Sequence, residues 1–347
     1  MPARNGWQYA FIRGGDNEMI SLRPLFRYAA GLIVGVLLAM GATVYAQELR
    51  PNVPIRIIVP YGPGGPTDVV ARLLSVHMQG ILKHTVIVEN RPGAGSMIGA
   101  RFVANAAPDG HTLLLGNVST FAIAPATTKS PGYDPTKSFA PIVQTSDMAA
   151  VMVTHPGFPA NTIQEFVDYA KAHPGKVSYG SAGIGNSAHL LGELLQARAQ
   201  LNIVHVPYRS GSEMAMAVLS GQVQFAMTDL SASIGQIREG KLKALAVTGL
   251  SRSAEFPAVP TMIESGYPDV VLRNWTGIAA PAGTPAVIIQ RLVGAINEAL
   301  ASPDYRGSIT KIGGETRAGT AQEFSALIAA DYRKWAEVAK AAGVSLD

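Results

Sequence analysis

Short runs of β-branched and apolar residues alternate along this chain with longer stretches of helical periodicity. Residues 55–60 (Ile-Arg-Ile-Ile-Val-Pro) read as a strand, and 67–82 as a helix with Val69, Val70, Leu73, Leu74 and Met78 on one face. Residues 86–89 form the next strand, 96–106 a helix, and 112–115 a strand. Residues 142–153 read as one long strand with a polar interruption at Thr145-Ser146-Asp147. A second set of units follows. Residues 162–172 are helical, capped by Asn161 or Thr162. Strands at 177–179, 203–206, 224–227 and 242–247 surround a helix at 187–199. The chain becomes extended again near 270–280, and helices at 285–301 and 320–342 close it. Strands alternating with helices predict an α/β protein with largely parallel sheets.

Composition narrows the class. The 347 residues fit roughly two domains. There is no cysteine, which excludes disulfides, thiolate metal sites, a cysteine nucleophile and a cysteine-borne lipid anchor. Apolar residues make up 48%, too many for a disordered chain. Beyond position 46 stand 24 basic and 22 acidic residues, and no run of Lys or Arg. A net charge of +2 gives no reason to expect nucleic acid or an anionic membrane as partner.

The N-terminus has the pattern of an address label. Arg23 and Arg27 precede an apolar run that begins at Ala29, and Val44-Tyr45-Ala46 places small residues at the two positions that matter for cleavage before Gln47. Residues 1–46 therefore read as a secretory signal peptide, with Met19 an alternative start. An uncleaved membrane anchor is the competing reading, but the run falls short of the ~20 residues a spanning helix prefers.

Four segments could carry chemistry, and each follows the C-terminal end of a strand. The first is Tyr61-Gly62-Pro63-Gly64-Gly65-Pro66-Thr67-Asp68, running from strand into helix. Glycines allow close backbone approach, prolines stiffen the loop, and a helix N-terminus offers unpaired N–H groups to an anion. Thr67 is expected to cap that helix. A plain strand–helix turn is the bland alternative, and no Lys-Ser/Thr follows to make a phosphate loop.

The second is Ser181-Ala182-Gly183-Ile184-Gly185-Asn186-Ser187-Ala188-His189, again a Gly-rich turn into a helix. It matches the dinucleotide pattern weakly, because no acid follows at the end of the next strand. No nucleophile elbow surrounds Ser181. The third is Asp229, a ligand group or simply the cap of the next helix. The fourth is residues 116–120, where Ser119 and Thr120 are either ligand-facing or ordinary turn chemistry. Trp275 is a candidate cleft residue, with core packing as the alternative. The seven histidines lack metal-ligand spacing, so no metal and no cofactor is expected. In open α/β sheets ligands bind beyond the carboxyl ends of strands, and two such loops could clamp one small anion.

Several motifs in order carry a family resemblance. They are Pro54 through Asp68, Val88-Glu-Asn-Arg-Pro-Gly-Ala-Gly95, Ala107-Pro-Asp-Gly-His-Thr-Leu113, Tyr133-Asp-Pro135, Tyr179-Gly-Ser-Ala-Gly183, His205-Val-Pro-Tyr208, Gly221-Gln-Val223 and Ala280-Pro-Ala-Gly-Thr-Pro285. The chain resembles the periplasmic solute-binding receptors of tripartite tricarboxylate transporters, often called Bug proteins. The resemblance implies a two-domain periplasmic binding protein of the Venus-flytrap type with two hinge crossings. Domain one would be 47–149 plus 271–347, and domain two 150–270. It implies carboxylate binding through the two Gly-rich loops, carried over to Tyr61–Asp68 and Ser181–His189, with Tyr208, Asp229, Ser119 and Thr120 reading the rest of the ligand. The expected partners are a small organic acid and the membrane permease subunits, with the protein acting as a periplasmic monomer and not an enzyme. A ligand-loaded sensor docking on a membrane signalling receptor is the first alternative, and a secreted hydrolase the second.

Overall fold

The computed structural model describes residues 48–344 except 209 and 210. The signal-peptide reading of residues 1–46 lies outside the described residues. Among those described, no helix is long and apolar enough to cross a membrane.

From Leu49 onward the chain forms one compact unit built on two sheets. The elements of the first half are β1 (Ile55–Val59), α1 (Pro66–Leu82), β2 (Val86–Asn90), α2 (Met97–Ala104) and β3 (Thr112–Asn117). A wide turn at Ser119–Ile123 leads into the short α3 (Ala124–Thr127), and β4 (Phe139–Met148) follows. Next come β5 (Ala150–Thr154), α4 (Ile163–Ala172), β6 (Ser178–Ser181), α5 (Ser187–Ala199), β7 (Val204–Pro207), α6 (Gly211–Leu219), β8 (Phe225–Asp229), α7 (Leu230–Arg238) and β9 (Lys243–Val247). The last are β10 (Thr276–Pro281), α8 (Ala286–Ala301), α9 (Pro303–Lys311), β11 (Gly314–Thr316) and α10 (Ala321–Ala341).

The first sheet has the order β11-β4-β10-β3-β1-β2 and the second β7-β6-β8-β5-β9. In the first, β1 runs parallel to β2 and β3, while β10 lies antiparallel between β3 and β4. β1 is buried on both faces, which explains why it is Ile or Val at every position but Arg56. Its side chains alternate. Ile55, Ile57 and Val59 pack with Leu74, Met78 and Leu292 of α1 and α8, whereas Ile58 joins Val103 of α2 and Phe121 on the other face. In the second sheet β6 is parallel to β7 and β8, and β5 is antiparallel to β8 and β9.

The stretch expected as one long strand at 142–153 is two strands in two sheets. The polar residues do not break it. The Thr145 and Ser146 hydroxyls lie 2.7 and 2.6 Å from Thr276 Oγ1, and Asp147 pairs with Arg273. Each buried polar group has a partner, so β4 continues to Met148. The chain then crosses to the second sheet at Ala149 and returns beside it at Arg273, the two residues forming an antiparallel bridge. Asn274 N–H donates to Met148 O at 2.8 Å across the same pair. Two adjacent strands thus carry the chain between two lobes.

Helices α6 and α9 were not expected from the pattern. α9 buries only Tyr305 and Ile309 among polar neighbours, too few apolar positions to show a period. The helix expected at 96–106 starts later, at Met97, because Gly95 (φ 60°) and Ser96 (φ 83°) are left-handed and interrupt it.

Candidate functional site

The first Gly-rich loop joins β1 to α1. Gly64 takes φ 87°, a conformation that favours glycine, and its N–H donates to Asp68 Oδ2 at 2.9 Å. Asp68 is 2% exposed; it also accepts from Arg72 Nε and from Asn90 Nδ2, each at 2.9 Å. Asn90 Nδ2 further reaches Tyr61 O at 3.0 Å. Asp68 is therefore the internal brace of the loop and not a group facing the cleft. These hydrogen bonds hold its carboxyl below the usual carboxylate range, Arg72 foremost, although burial opposes them.

Thr67 does not cap α1. The helix begins at Pro66 with Gly65 as N-cap, and no side chain accepts from its first turn. Pro66 has no N–H to lose, so the open donors belong to the next residues, Thr67 and Asp68. The other loop differs. Asn186 Oδ1 accepts from His189 N at 2.9 Å and closes the start of α5.

Tyr61 connects the loop to the end of β3. Its hydroxyl lies 2.5 Å from Asn117 Oδ1 and 2.8 Å from Thr120 Oγ1. Burial pushes this phenol above its usual range, and the charge of Asp229 acts in the same direction. Thr120 is fully buried, and Asn117 Oδ1 accepts from Ser119 N at 2.9 Å. Thr120 supports Tyr61 from beneath.

Tyr61, Gly65, Thr67, Asn117, Asp229 and Asn274 line a cavity of about 220 Å³. Its floor includes Met148 and Thr276, from the strands next to the crossing. Asp229 occupies the N-cap position of α7 but makes no capping bond. Its Oδ1 instead accepts from Asn274 Nδ2 at 2.7 Å, which ties the end of β8 to the returning strand. Burial pushes the Asp229 carboxyl up, and Asn274 counters only in part.

A second cavity of about 390 Å³ lies in the second lobe and shares Asp229 with the first. Ala182, Asn186 and Ser187 line it. The rest of the second loop is support. Ser181 is fully buried; its Oγ lies 2.7 Å from His205 Nε2 and accepts from Gly183 N at 3.2 Å. Gly185 N–H donates to His189 Nδ1 at 3.0 Å, and the His189 and His205 rings stack at 3.8 Å. Burial pushes both imidazoles down, His205 to about 4. Both are neutral wedges beneath the loop. Tyr208 N–H donates to Ser181 O at 2.8 Å, so it fixes the loop's backbone. Gly62, Pro63 and Gly64 are exposed in the first loop and do not line either cavity.

Sequence reasoning passed over Asn117, Asn274 and Thr276. Asn117 stands in the polar segment 116–120, and Asn274 beside Trp275, so both lay within stretches the pattern singles out. Trp275 itself is core. It is fully buried, donates from Nε1 to Asp331 Oδ2 at 2.6 Å and stacks on Phe121.

Known proteins are similar to this chain over nearly their whole length. Residues 70–344 match the family described as tripartite tricarboxylate transporter family receptor. The chain belongs to that family. It is 35% identical over 317 residues to the protein BugT of Bordetella pertussis, covering 90% of this chain and 97% of the relative. The periplasmic binding protein BugD superposes with a TM-score of 0.73 at 37% identity, over 85% of this chain and 99% of that one. MatC from Rhodopseudomonas palustris, solved with bound malate, gives 0.72 at 31% identity, over 83% and 99%. The family's members are periplasmic solute-binding proteins and not enzymes, which fixes the class of this receptor.

Proposed function

We propose that this receptor captures a small organic carboxylate between its lobes, 47–149 plus 271–347 against 150–270, and delivers it to the permease subunits of a tripartite tricarboxylate transporter. The observation that carries the reading is the uncapped N-terminus of α1 opening on a cavity whose far wall is Asp229 of the other lobe. Free N–H donors and the positive end of a helix favour an anion there. The bound malate of MatC supports the same chemistry.

One carboxylate oxygen would accept from the first turn of α1 and the Thr67 hydroxyl. The Asn186 amide and the Ser187 hydroxyl would meet the ligand from the second lobe. Ligand held by both lobes binds the closed form better, so it shifts the population towards closure by that difference in affinity. The hinge of that closure would be the two strands that bridge at Ala149 and Arg273. Export by cleavage of residues 1–46 and a monomeric state complete the proposal.

Calorimetry on the purified protein tests it. Carboxylates should bind while neutral sugars and cations of the same size do not, and Thr67→Val should weaken the acid about tenfold. Binding of sugars or cations alone would overturn the reading. N-terminal sequencing of the protein recovered from periplasm should begin at Gln47, and a light-scattering mass should match one chain.

A further inference from the structure

The two cavities that meet at Asp229 differ in size and in the side chains that line them. The first is small, and Tyr61, Thr67, Asn117 and Asn274 bring polar groups to it beside Met148. The second is larger; alanine, leucine and methionine side chains make up most of its lining, with Asn186, Ser187, Thr228 and Gln236 as its polar edge. Met214 and Met227 are 4% and 1% exposed and form the back of it. Leu191 and Leu272 complete the inner surface. Among the described lining residues of either cavity there is no Lys, Arg or His.

A second feature points the same way. Met216, which lines this cavity, is 63% exposed. An apolar group left in water on the lip of a cavity gains when something apolar covers it. Methionine is unbranched and polarisable, so it moulds to a chain or a ring. The junction adds a selection of its own. A ligand carrying a second carboxylate past Asp229 would set two like charges side by side in a partly buried space.

Given the carboxylate reading above, we infer that the ligand is an organic acid with a single acid head and an apolar body, an aliphatic chain or an aromatic ring, seated against Met214, Met216 and Met227. The head belongs at the start of α1 and the body in the second lobe. Compact polar di- and tricarboxylic acids are the poorer ligands of this member.

The test is calorimetry of the purified protein with acetate, butyrate, hexanoate, octanoate and phenylacetate, and with malate and citrate. Each added CH₂ should tighten binding about fourfold until the cavity is full. Malate and citrate should bind more weakly than hexanoate. Met216→Ser, at an exposed position that the fold does not depend on, should weaken hexanoate and phenylacetate severalfold and leave acetate unchanged. Met214→Gln should flatten the dependence on chain length further, with its fold checked by circular dichroism. A flat series, or tightest binding of malate or citrate, would overturn the inference and leave carboxylate capture standing. A rising series untouched by both methionine variants would also overturn it, by placing the body elsewhere. If the matching alcohols bind and no acid does, carboxylate capture itself fails.

Discussion

Acid should unfold the second loop's support through one pair of rings. His189 Nδ1 accepts from Gly185 N–H at 3.0 Å, so its proton sits on Nε2, towards Glu193 Oε1 at 3.7 Å. The His205 ring stacks on it with an interplanar angle of 12°. Protonating either ring sets a cation against its neighbour in half-buried surroundings. Burial pushes His205 down to about 4, with the His189 charge adding to the effect, while the unfolded chain titrates near ~6.5. The unfolded state therefore takes up the proton first. The stability contribution is complete above ~6.5 and is lost as pH falls towards about 4. At 1.36 kcal/mol per pH unit, about 2 kcal/mol would be gone by pH 5, and solvent access to the ring trims this to about 1–2 kcal/mol. The assay is urea unfolding at pH 7.5 and pH 5.0 for the wild type and His205→Gln. The variant starts less stable because it loses the stack, but it should lose about 1–2 kcal/mol less on acidification. Asp147, Asp229 and Asp331 are pushed up by burial and act in the opposite direction, and their effect cancels in the difference. Equal acid losses in the two proteins would refute the argument.

Three further outcomes follow from the same geometry. Burial raises the Asp229 pKa, so acid binding should strengthen as pH falls and the carboxylate is protonated, and Asp229→Asn should tighten binding and remove that pH dependence; a pH series of isotherms on both proteins decides it. Asp68→Ala leaves the Gly64 N–H, Arg72 and Asn90 without their acceptor and should cost about 2–3 kcal/mol in urea unfolding, with a loss of affinity through a loosened first loop. Gly192→Ala would drive a Cβ into the Tyr179 ring, which in turn packs 5.0 Å from His205. A cost of about 1–3 kcal/mol in thermal unfolding is expected, and little change would mean the ring is free to move.

Much of the scaffold was legible because faces are encoded locally. The Ile55–Val59 run is apolar at nearly every position because helices cover both sides of β1, and such a strand can be recognised without knowing its neighbours. The start of α5 at Ser187 was readable for a similar reason: the cap is a contact between Asn186 and His189, three residues apart. The two Gly-rich loops stood out because glycine and proline mark turns wherever they fall. The roles inside those loops were harder. Asp68, Ser181 and His189 look like ligand groups in the sequence, yet their partners turn out to be Asn90, His205 and Gly185.

The sequence by itself determined an α/β chain with two glycine-rich strand–helix turns, too little charge for a nucleic-acid surface, and membership of a receptor family. Those properties depend on periodicity, composition and motifs that neighbouring residues carry. Only the tertiary structure decided which polar groups face the cavities and which brace the loops around them. The crossing at Ala149 exists because Arg273, far along the chain, bridges to it. Asp229 lines the cleft because Asn274 draws its carboxylate away from the helix it might have capped. Such choices depend on partners distant in sequence, and folding alone brings those partners within hydrogen-bonding range.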